Sequence, residues 1–170
     1  NDGEDAPLYP GSPLVAARML RPQDRLHLFE LHPREYIALA ETFKGDERIS
    51  VYKKDGYEGV AALSPPRPHH GLTLIDPSYE VKDEYIRIPG FIDHLRRRWP
   101  DGSVLLWYPL LAAARHDAMK QLIAASHHDA VLHEYEWASP EAKSGMYGSG
   151  MIGLNLPDVL PGFSALQRVC

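Results

Sequence analysis

The chain alternates short apolar runs, which are typical of β-strands, with segments whose apolar residues recur at helical spacing. In residues 32–43, for example, Tyr36, Leu39, Ala40 and Phe43 would share one face of a helix. The spacing predicts helices in SPLVAARML, HPREYIALAETF, GYEGVAAL, VKDEYIRIPGFIDHLRRRW and AAARHDAMKQLIAA, the fourth disturbed at Pro89-Gly90. Apolar or alternating runs predict strands in RLHLFE, RISVYK, GLTLID, SVLLWYP, AVLHEYEW and GMIGLNLP.

This order of elements predicts an α/β fold. Strands that alternate with helices favour a mostly parallel sheet with helices on both faces. The run GLTLID is apolar almost throughout, as expected when both faces of its strand are covered. The last two strands have no helix between them, so we expect them to pair as a carboxy-terminal antiparallel hairpin.

The amino-terminal end of the chain lacks the apolar patterns of the rest. Residues 1–11 are acidic and contain prolines, which predicts a flexible lead-in, and residues 12–170 would form the domain itself. Ser12 suits the N-cap of the first helix, and Pro13 its first helical position.

Composition narrows the class of protein. A length of 170 residues with 44% hydrophobic and 24% charged residues fits one ordinary globular domain, and no apolar run could span a bilayer. The only cysteine is Cys170, so no internal disulfide or thiolate–zinc framework exists, and a cytoplasmic location fits best. The net charge of -5 means that any contact with RNA must use a local patch or another part of the protein.

Acids follow three successive predicted strands. Glu30 ends the first strand, Lys54-Asp55-Gly56 follows the second, and Asp76-Pro77-Ser78-Tyr79 follows the third. Each alone is consistent with a solvated acid or a turn. Together they would line the carboxyl edge of a parallel sheet, where ligands bind in folds of this class.

The sequence Asp76-Pro77-Ser78-Tyr79 suits one particular reaction. The amino group of a purine is a poor nucleophile because its lone pair is delocalised into the ring. A carboxylate and a backbone carbonyl that accept both of its N–H groups would localise that lone pair, and the proline would stiffen the turn. A tyrosine ring could stack on the base once the base leaves its helix. These features indicate alkyl transfer to an exocyclic amine.

At this point the sequence resembles a known family. The turn is similar to the Asp-Pro-Pro-Tyr motif of adenine-N6 methyltransferases, and the chain from Tyr9 to about Pro157 resembles the RlmJ family. That resemblance is carried by YPGSPLVAARML, LFELHP, KKDGYEG, LTLIDPSYE, LWYP and SGMIGLNLP. It implies a Rossmann-like sheet and methyl transfer from S-adenosylmethionine to adenine N6 in bacterial 23S ribosomal RNA, taken as unassembled RNA, without a metal and without a membrane.

The resemblance also implies roles for individual residues, which follow from matching motifs. Those matched to cofactor contacts are Ser12, Glu30 for the ribose hydroxyls, Asp55 and Gly56 beside the adenine, and Asp76. Those matched to catalysis are Asp76 as the acid, Pro77 as the source of the carbonyl that accepts a hydrogen bond from the amine, and Tyr79 as the stacking ring.

The sequence departs from the family pattern in two ways. Ser78 stands where the usual motif has its second proline, a small change that could loosen the turn. The Gly-rich strand and loop that hold the methionine part of the cofactor have no counterpart before Ser12. In this fold that strand lies between the strands ending at Glu30 and Asp76, so we expect the central strand to be missing. Either an amino-terminal part or another chain would supply it, or the two strands would close together.

Other readings stay open at this stage. The chain could be a non-catalytic fragment that keeps the base pocket without a full cofactor site, or it could methylate small adenine-containing molecules. Two further segments also have alternatives. Arg96–Trp99 is read first as a solvated helix end and less readily as an RNA patch, and Met146–Gly150 either is a flexible segment that touches substrate or is a plain hairpin connection. The pairs His69-His70 and His127-His128 lack the spacing of a zinc site.

Overall fold

A computed structural model describes residues 10–138 and 145–157, together with the backbone of residues 164–165. The chain divides into two compact units, Asn1–Ala62 and Leu63–Cys170. The predicted lead-in falls almost wholly on residues 1–9, which lie outside the described residues. In the described part, no helix is both long and apolar enough to cross a membrane.

The first unit is built around a two-stranded parallel sheet. Its elements are α1 (Ser12–Met19), β1 (Leu26–Phe29), α2 (Pro33–Thr42), β2 (Ile49–Tyr52) and α3 (Gly56–Leu63), whose last residue belongs to the second unit. The register pairs Leu26 with Ile49 and Phe29 with Tyr52, whose rings stack with centroids 5.0 Å apart. Because the strands are parallel and end together, the residues that follow them emerge at the same edge.

The first helix begins one residue earlier than its proline pattern suggested. Gly11 is the N-cap of α1, so Ser12 is the first helical residue and Pro13 the second. The prediction that Ser12 caps the helix is therefore wrong. Gly11 adopts the extended backbone of an N-cap, and Ser12 makes no side-chain capping bond. Proline is tolerated within the first turn because the amide hydrogens there lack helical partners.

The second unit contains a mixed sheet with strand order β3-β4-β6-β5-β7. Its elements are β3 (Leu72–Ile75), α4 (Glu84–Arg98), β4 (Ser103–Leu111), α5 (Arg115–Ser126), β5 (Val131–Glu136), β6 (Met146–Leu154) and β7 (Ser164–Ala165). β3 and β4 are parallel, whereas β6 is antiparallel to both β4 and β5. The prediction of a carboxy-terminal antiparallel hairpin is thus confirmed.

One face of this sheet forms the core with α4 and α5. Its apolar side chains are almost completely buried; they include Ile88, Ile92, Leu95, Val104, Leu106, Met119, Ile123, Ile152 and Leu154. The opposite face is more open: Leu72 is 56% exposed and Leu74 42% exposed, whereas Thr73 and Ile75 between them are buried. The expectation that both faces of this strand are covered is therefore wrong for the described residues. A uniformly apolar strand can still present alternate side chains to water.

The glycines near the start of β6 belong to a strand. Met146–Gly150 pairs with β4 and, from Gly148, with β5, so the reading of this segment as a flexible connection is wrong. A Cβ atom at Gly150 would lie 2.2 Å from the ring of Tyr108. Glycine is needed here because the Tyr108 side chain crosses the strand at this residue.

Neither sheet contains a strand that joins β1 to β3. Among the described residues, β1 pairs with β2 and β3 pairs with β4, each along one edge. The central strand expected between them is therefore not found in the part of the chain that the structure describes.

Candidate active site

Glu30 lies just beyond the carboxyl end of β1. Its backbone N–H donates to the carbonyl of Tyr52, which continues the β1–β2 ladder by one residue. Its Oε1 atom accepts a hydrogen bond of 2.7 Å from the backbone N–H of His32, at the N-cap of α2. In the described part of the chain no partner engages Oε2, so this half-buried carboxylate keeps one oxygen for another donor.

Asp55 holds the start of α3. Its Oδ1 atom accepts hydrogen bonds from the backbone N–H groups of Tyr57, at 2.8 Å, and Glu58, at 3.2 Å. Its own carbonyl accepts the N–H of Gly59 at 2.9 Å. This is the pattern of an N-cap aspartate, which satisfies amide hydrogens that have no partner inside the helix.

The packing of α3 on β1 brings Gly56 into contact with Phe29, the residue before Glu30. A Cβ atom at Gly59 would lie 2.1 to 2.8 Å from atoms of the Phe29 ring, so that ring rests directly on the helix backbone. A Cβ atom at Gly56 would be 3.7 Å from the Cβ of Phe29, which is ordinary contact. Since Phe29 precedes Glu30, three of the four predicted cofactor residues of the first unit meet at one sheet edge.

Ser12 is the fourth, and the structure does not join it to the others. It is exposed at the first residue of α1, and no hydrogen bond links it to Glu30 or Asp55 in the described part of the chain. Its predicted role in binding the cofactor stays a prediction.

Asp76 follows the carboxyl end of β3 in the second unit. Its residue is exposed, yet the protein atoms around the carboxyl group remove enough water to raise the pKa of Asp76 above its ordinary value. Desolvation has this effect because it disfavours the charged form. Within the described residues, no hydrogen bond or ion pair engages the carboxylate.

The ring of Tyr79 is buried, whereas a ring that stacks on a base needs an exposed face. It is only 8% exposed, and its hydroxyl donates a 2.7 Å hydrogen bond to the carbonyl of Trp107. Its ring is tilted against that of Tyr85, with centroids 4.8 Å apart, and also contacts the ring of Trp107. Pro77 is half-buried between the acid and this tyrosine. The stacking role of Tyr79 stays a prediction, and the observed position offers a base little of the ring.

A buried polar network next to this turn was not anticipated from the sequence. Tyr108 is fully buried and donates a 2.7 Å hydrogen bond to Glu134, which also accepts 2.9 Å from Lys120. Burial, together with the hydrogen bond to Glu134, raises the pKa of Tyr108 above its ordinary range. Burial disfavours the charge on Lys120, but its bonds to Glu134 and Asp117 outweigh that and raise its pKa. The Gly-x-Gly spacing at Gly148 and Gly150 was the one available signal of a large crossing side chain.

The basic segment at the end of α4 has structural partners. Arg96 lies 3.0 Å from Asp129, and Arg98 donates to the carbonyl of Ser64. Trp99 is buried and donates to the carbonyl of His69, so it cannot stack on a base as it stands. His127 lies 2.8 Å from Asp93. Among the described residues no group of three or more potential ligands could hold a metal ion.

Comparison with known proteins identifies the chain's relatives. Residues 1–164 match the family described as "Ribosomal RNA large subunit methyltransferase D, RlmJ". The chain belongs to this family. A relative from Escherichia coli (strain K12), "Ribosomal RNA large subunit methyltransferase J", is 39% identical over 150 residues, 88% of this chain and 54% of the relative. A relative of the same name from Haemophilus influenzae is 35% identical over 91% of this chain and 56% of its own length. The chain thus spans about half the length of these curated relatives.

Two solved structures resemble the chain to different degrees. Protein LPL1258 from Legionella pneumophila is 35% identical, with a TM-score of 0.83, over 90% of this chain and 57% of that one. Precorrin 8w decarboxylase from Methanobacterium thermoautotrophicum is 10% identical with a TM-score of 0.52, over 78% of this chain and 70% of its own, and supports the α/β fold alone.

Proposed function

We propose that the protein containing this chain transfers a methyl group from S-adenosylmethionine to the N6 amine of adenine in 23S ribosomal RNA. The observation that carries the proposal is the Asp76 carboxylate, which follows a strand end in an Asp-Pro-x-Tyr turn without a described protein partner. An acid left in this state is available to a substrate. Membership of the RlmJ family and the names of the relatives from Escherichia coli and Haemophilus influenzae support the choice of ribosomal RNA.

The chemistry assigned to the turn is positioning of the amine. The Asp76 carboxylate accepts one N–H hydrogen of the adenine amino group, and the Pro77 carbonyl accepts the other. The nitrogen lone pair is then directed away from the ring and toward the methyl donor, so orientation contributes to the rate. The N–C bond forms as the S–C bond breaks, and N6 loses one proton, which Asp76 can accept.

The residues of the first unit fit the adenosine part of the cofactor. Ribose hydroxyls need an acceptor, and Glu30 keeps one carboxylate oxygen for this use. Gly56, at the start of α3, has no side chain to obstruct a flat ring beside Asp55. S-adenosylmethionine, when bound, supplies the methyl group as an electrophilic sulfonium. We further propose that β1, β2, β3 and β4 belong to the Rossmann-like sheet of such enzymes.

The test is a methylation assay on the protein expressed from its natural gene. Radiolabelled S-adenosylmethionine and protein-free 23S ribosomal RNA from cells lacking the modification should give N6-methyladenosine after nuclease digestion. Ribosomal RNA of the small subunit and free adenosine nucleotides serve as controls. Label in free nucleotides but not in RNA would replace the proposal with a small-molecule methyltransferase, and no label at all with wild-type protein would contradict it.

A second candidate is favoured by the sheet pairing. Because no described strand joins β1 to β3, the chain of 170 residues by itself could keep the base pocket without a complete cofactor site. We propose that this chain alone binds S-adenosylmethionine weakly or not at all. Isothermal titration of the chain with S-adenosylmethionine tests this, and micromolar binding would contradict it.

A further inference from the structure

The backbone of Tyr79 has an unusual conformation. Its φ angle is +57°, in the left-handed region, where bulky residues other than glycine are rarely found. For an L-residue this conformation is unfavourable, because its Cβ atom lies too close to the following carbonyl oxygen. Such a conformation persists only where surrounding contacts hold it, and such sites are frequent near functional groups. Tyr79 closes the turn that carries Asp76, so its conformation helps to set the course of that turn.

One contact that anchors Tyr79 is the hydrogen bond of its hydroxyl group. The β3–β4 ladder ends at the pair Ile75–Leu106, and β4 continues past it to Leu111. Trp107 is the first residue of β4 beyond that pairing. Its carbonyl accepts the Tyr79 hydroxyl at 2.7 Å, so the hydroxyl ties the turn to β4 where β3 has ended.

The part of β4 that accepts the Tyr79 hydroxyl is itself held in place by buried contacts. Tyr108, adjacent to Trp107, is fully buried and reaches over Gly150 to donate to Glu134 on β5. Lys120 on α5 donates to the same carboxylate. β4 is therefore fixed across β6 to β5 at the point where it receives the hydroxyl.

This inference rests on the proposed function and changes the role of one residue within it. We propose that Tyr79 is a positioning residue, whose hydroxyl bond to the Trp107 carbonyl fixes the Asp76–Tyr79 turn and aims the Asp76 carboxylate at the amine. Its ring, packed against Tyr85 and Trp107, anchors the turn from the other side of the hydroxyl bond.

The substitution Tyr79→Phe separates the two roles, because it keeps the aromatic ring and removes the hydroxyl. If Tyr79 positions the turn, kcat falls about three- to ten-fold, as for loss of one neutral hydrogen bond. The KM for RNA and the affinity for S-adenosylmethionine change by less than about two-fold. The acid limb of the pH–rate profile moves to lower pH, because a looser turn lets water reach Asp76. If Tyr79 stacks on the base, Tyr79→Phe retains wild-type kcat and pH profile.

Hydrogen exchange gives a readout that needs no substrate. The amides of Ser78, Tyr79 and Glu80 should exchange faster in Tyr79→Phe, while those of β4 stay protected. Tyr135→Phe is the matched control, since Tyr135 is 64% exposed on β5 and loses the same atom. Wild-type turnover together with unchanged exchange in Tyr79→Phe would overturn the positioning role. An inactive wild-type protein would instead count against the proposed function, and exchange would still decide whether the hydroxyl holds the turn.

Discussion

Asp55 and Asp76 both follow the carboxyl end of a strand, yet the protein uses the two carboxylates differently. Asp55 accepts two backbone N–H groups and caps α3. Asp76 accepts none from the described residues, and desolvation raises its pKa. An acid with backbone donors has a role in folding, whereas an acid desolvated without donors destabilises the fold slightly and is a candidate for binding a ligand. Glu30 lies between these cases, because one of its oxygens accepts a hydrogen bond and the other has no donor among the described residues.

The largest effect is expected at Asp76. Asp76→Ala should lower methyl transfer by at least about a hundred-fold, because the amine loses its charged acceptor. Affinity for S-adenosylmethionine, measured by titration calorimetry, should change little. Asp76→Asn keeps the shape and removes the charge, so it should be nearly as inactive. A variant with near wild-type kcat would remove Asp76 from the catalytic role.

Glu30 should come next, through binding and not turnover. Loss of a hydrogen bond from a charged acceptor costs roughly 1.5–3 kcal/mol, so Glu30→Ala should weaken cofactor binding about ten- to a hundred-fold. Glu30→Gln, which can still accept from His32, separates support of α2 from binding of the ribose. An unchanged dissociation constant in both variants would mean that Glu30 is an ordinary solvated acid with no role in binding the cofactor.

Two glycines of α3 test whether its start is structural or ligand-binding. In Gly59→Ala the new methyl group would overlap the ring of Phe29. The substitution should therefore lower the free energy of unfolding by about 1–3 kcal/mol. Gly56→Ala meets nothing closer than 3.7 Å and should leave stability unchanged within about 0.5 kcal/mol. If the adenine packs there, Gly56→Ala weakens cofactor affinity alone. Equal losses of stability in urea unfolding would mean that both glycines are structural.

How far the sequence predicts this molecule depends on the range of the interactions. Helical spacing predicted α3 to the residue and the other helices closely, because these patterns are local. The open side of β3 could not be predicted, since Leu72 and Leu74 are as apolar as buried residues and only the covering elements distinguish them. β7 was missed because two residues paired with β5 leave no periodic pattern.

In the candidate site, too, local motifs could be predicted from the sequence and long-range contacts could not. The family motif led to Asp76, and the strand-end pattern led to Glu30 and Asp55. The contact of the Tyr79 hydroxyl with Trp107 joins residues 28 positions apart, and nothing in either local sequence indicates it. Its discovery required the strand register that carries β4 beyond β3.

Substitution of Asp55 should lower the stability of the protein moderately. Asp55→Ala removes the cap of α3 and should lower the free energy of unfolding by about 1 kcal/mol, with Asp55→Asn retaining much of it. Urea unfolding of both variants measures this. If Asp55→Ala is as stable as wild type, the capping bonds contribute little and the contrast with Asp76 weakens.

The smallest effect concerns the pH dependence of stability at Asp76. Desolvation raises its pKa in the folded protein, so the folded state holds the Asp76 proton to a higher pH than the unfolded chain. Stability from this group is complete below the unfolded pKa of about 4 and is lost as pH rises through the folded pKa. Asp76→Asn should therefore be more stable than wild type at pH 7, by less than about 1 kcal/mol because the residue is still exposed to water. The difference should vanish at about pH 3, where the carboxyl is protonated in both the folded and the unfolded states. Urea unfolding at pH 7 and at about pH 3, with Asp101→Asn on an exposed turn as the control for net charge, measures it. A less stable Asp76→Asn at pH 7 would mean that the carboxylate has a stabilising partner in the folded protein, and Asp76 would then resemble Asp55.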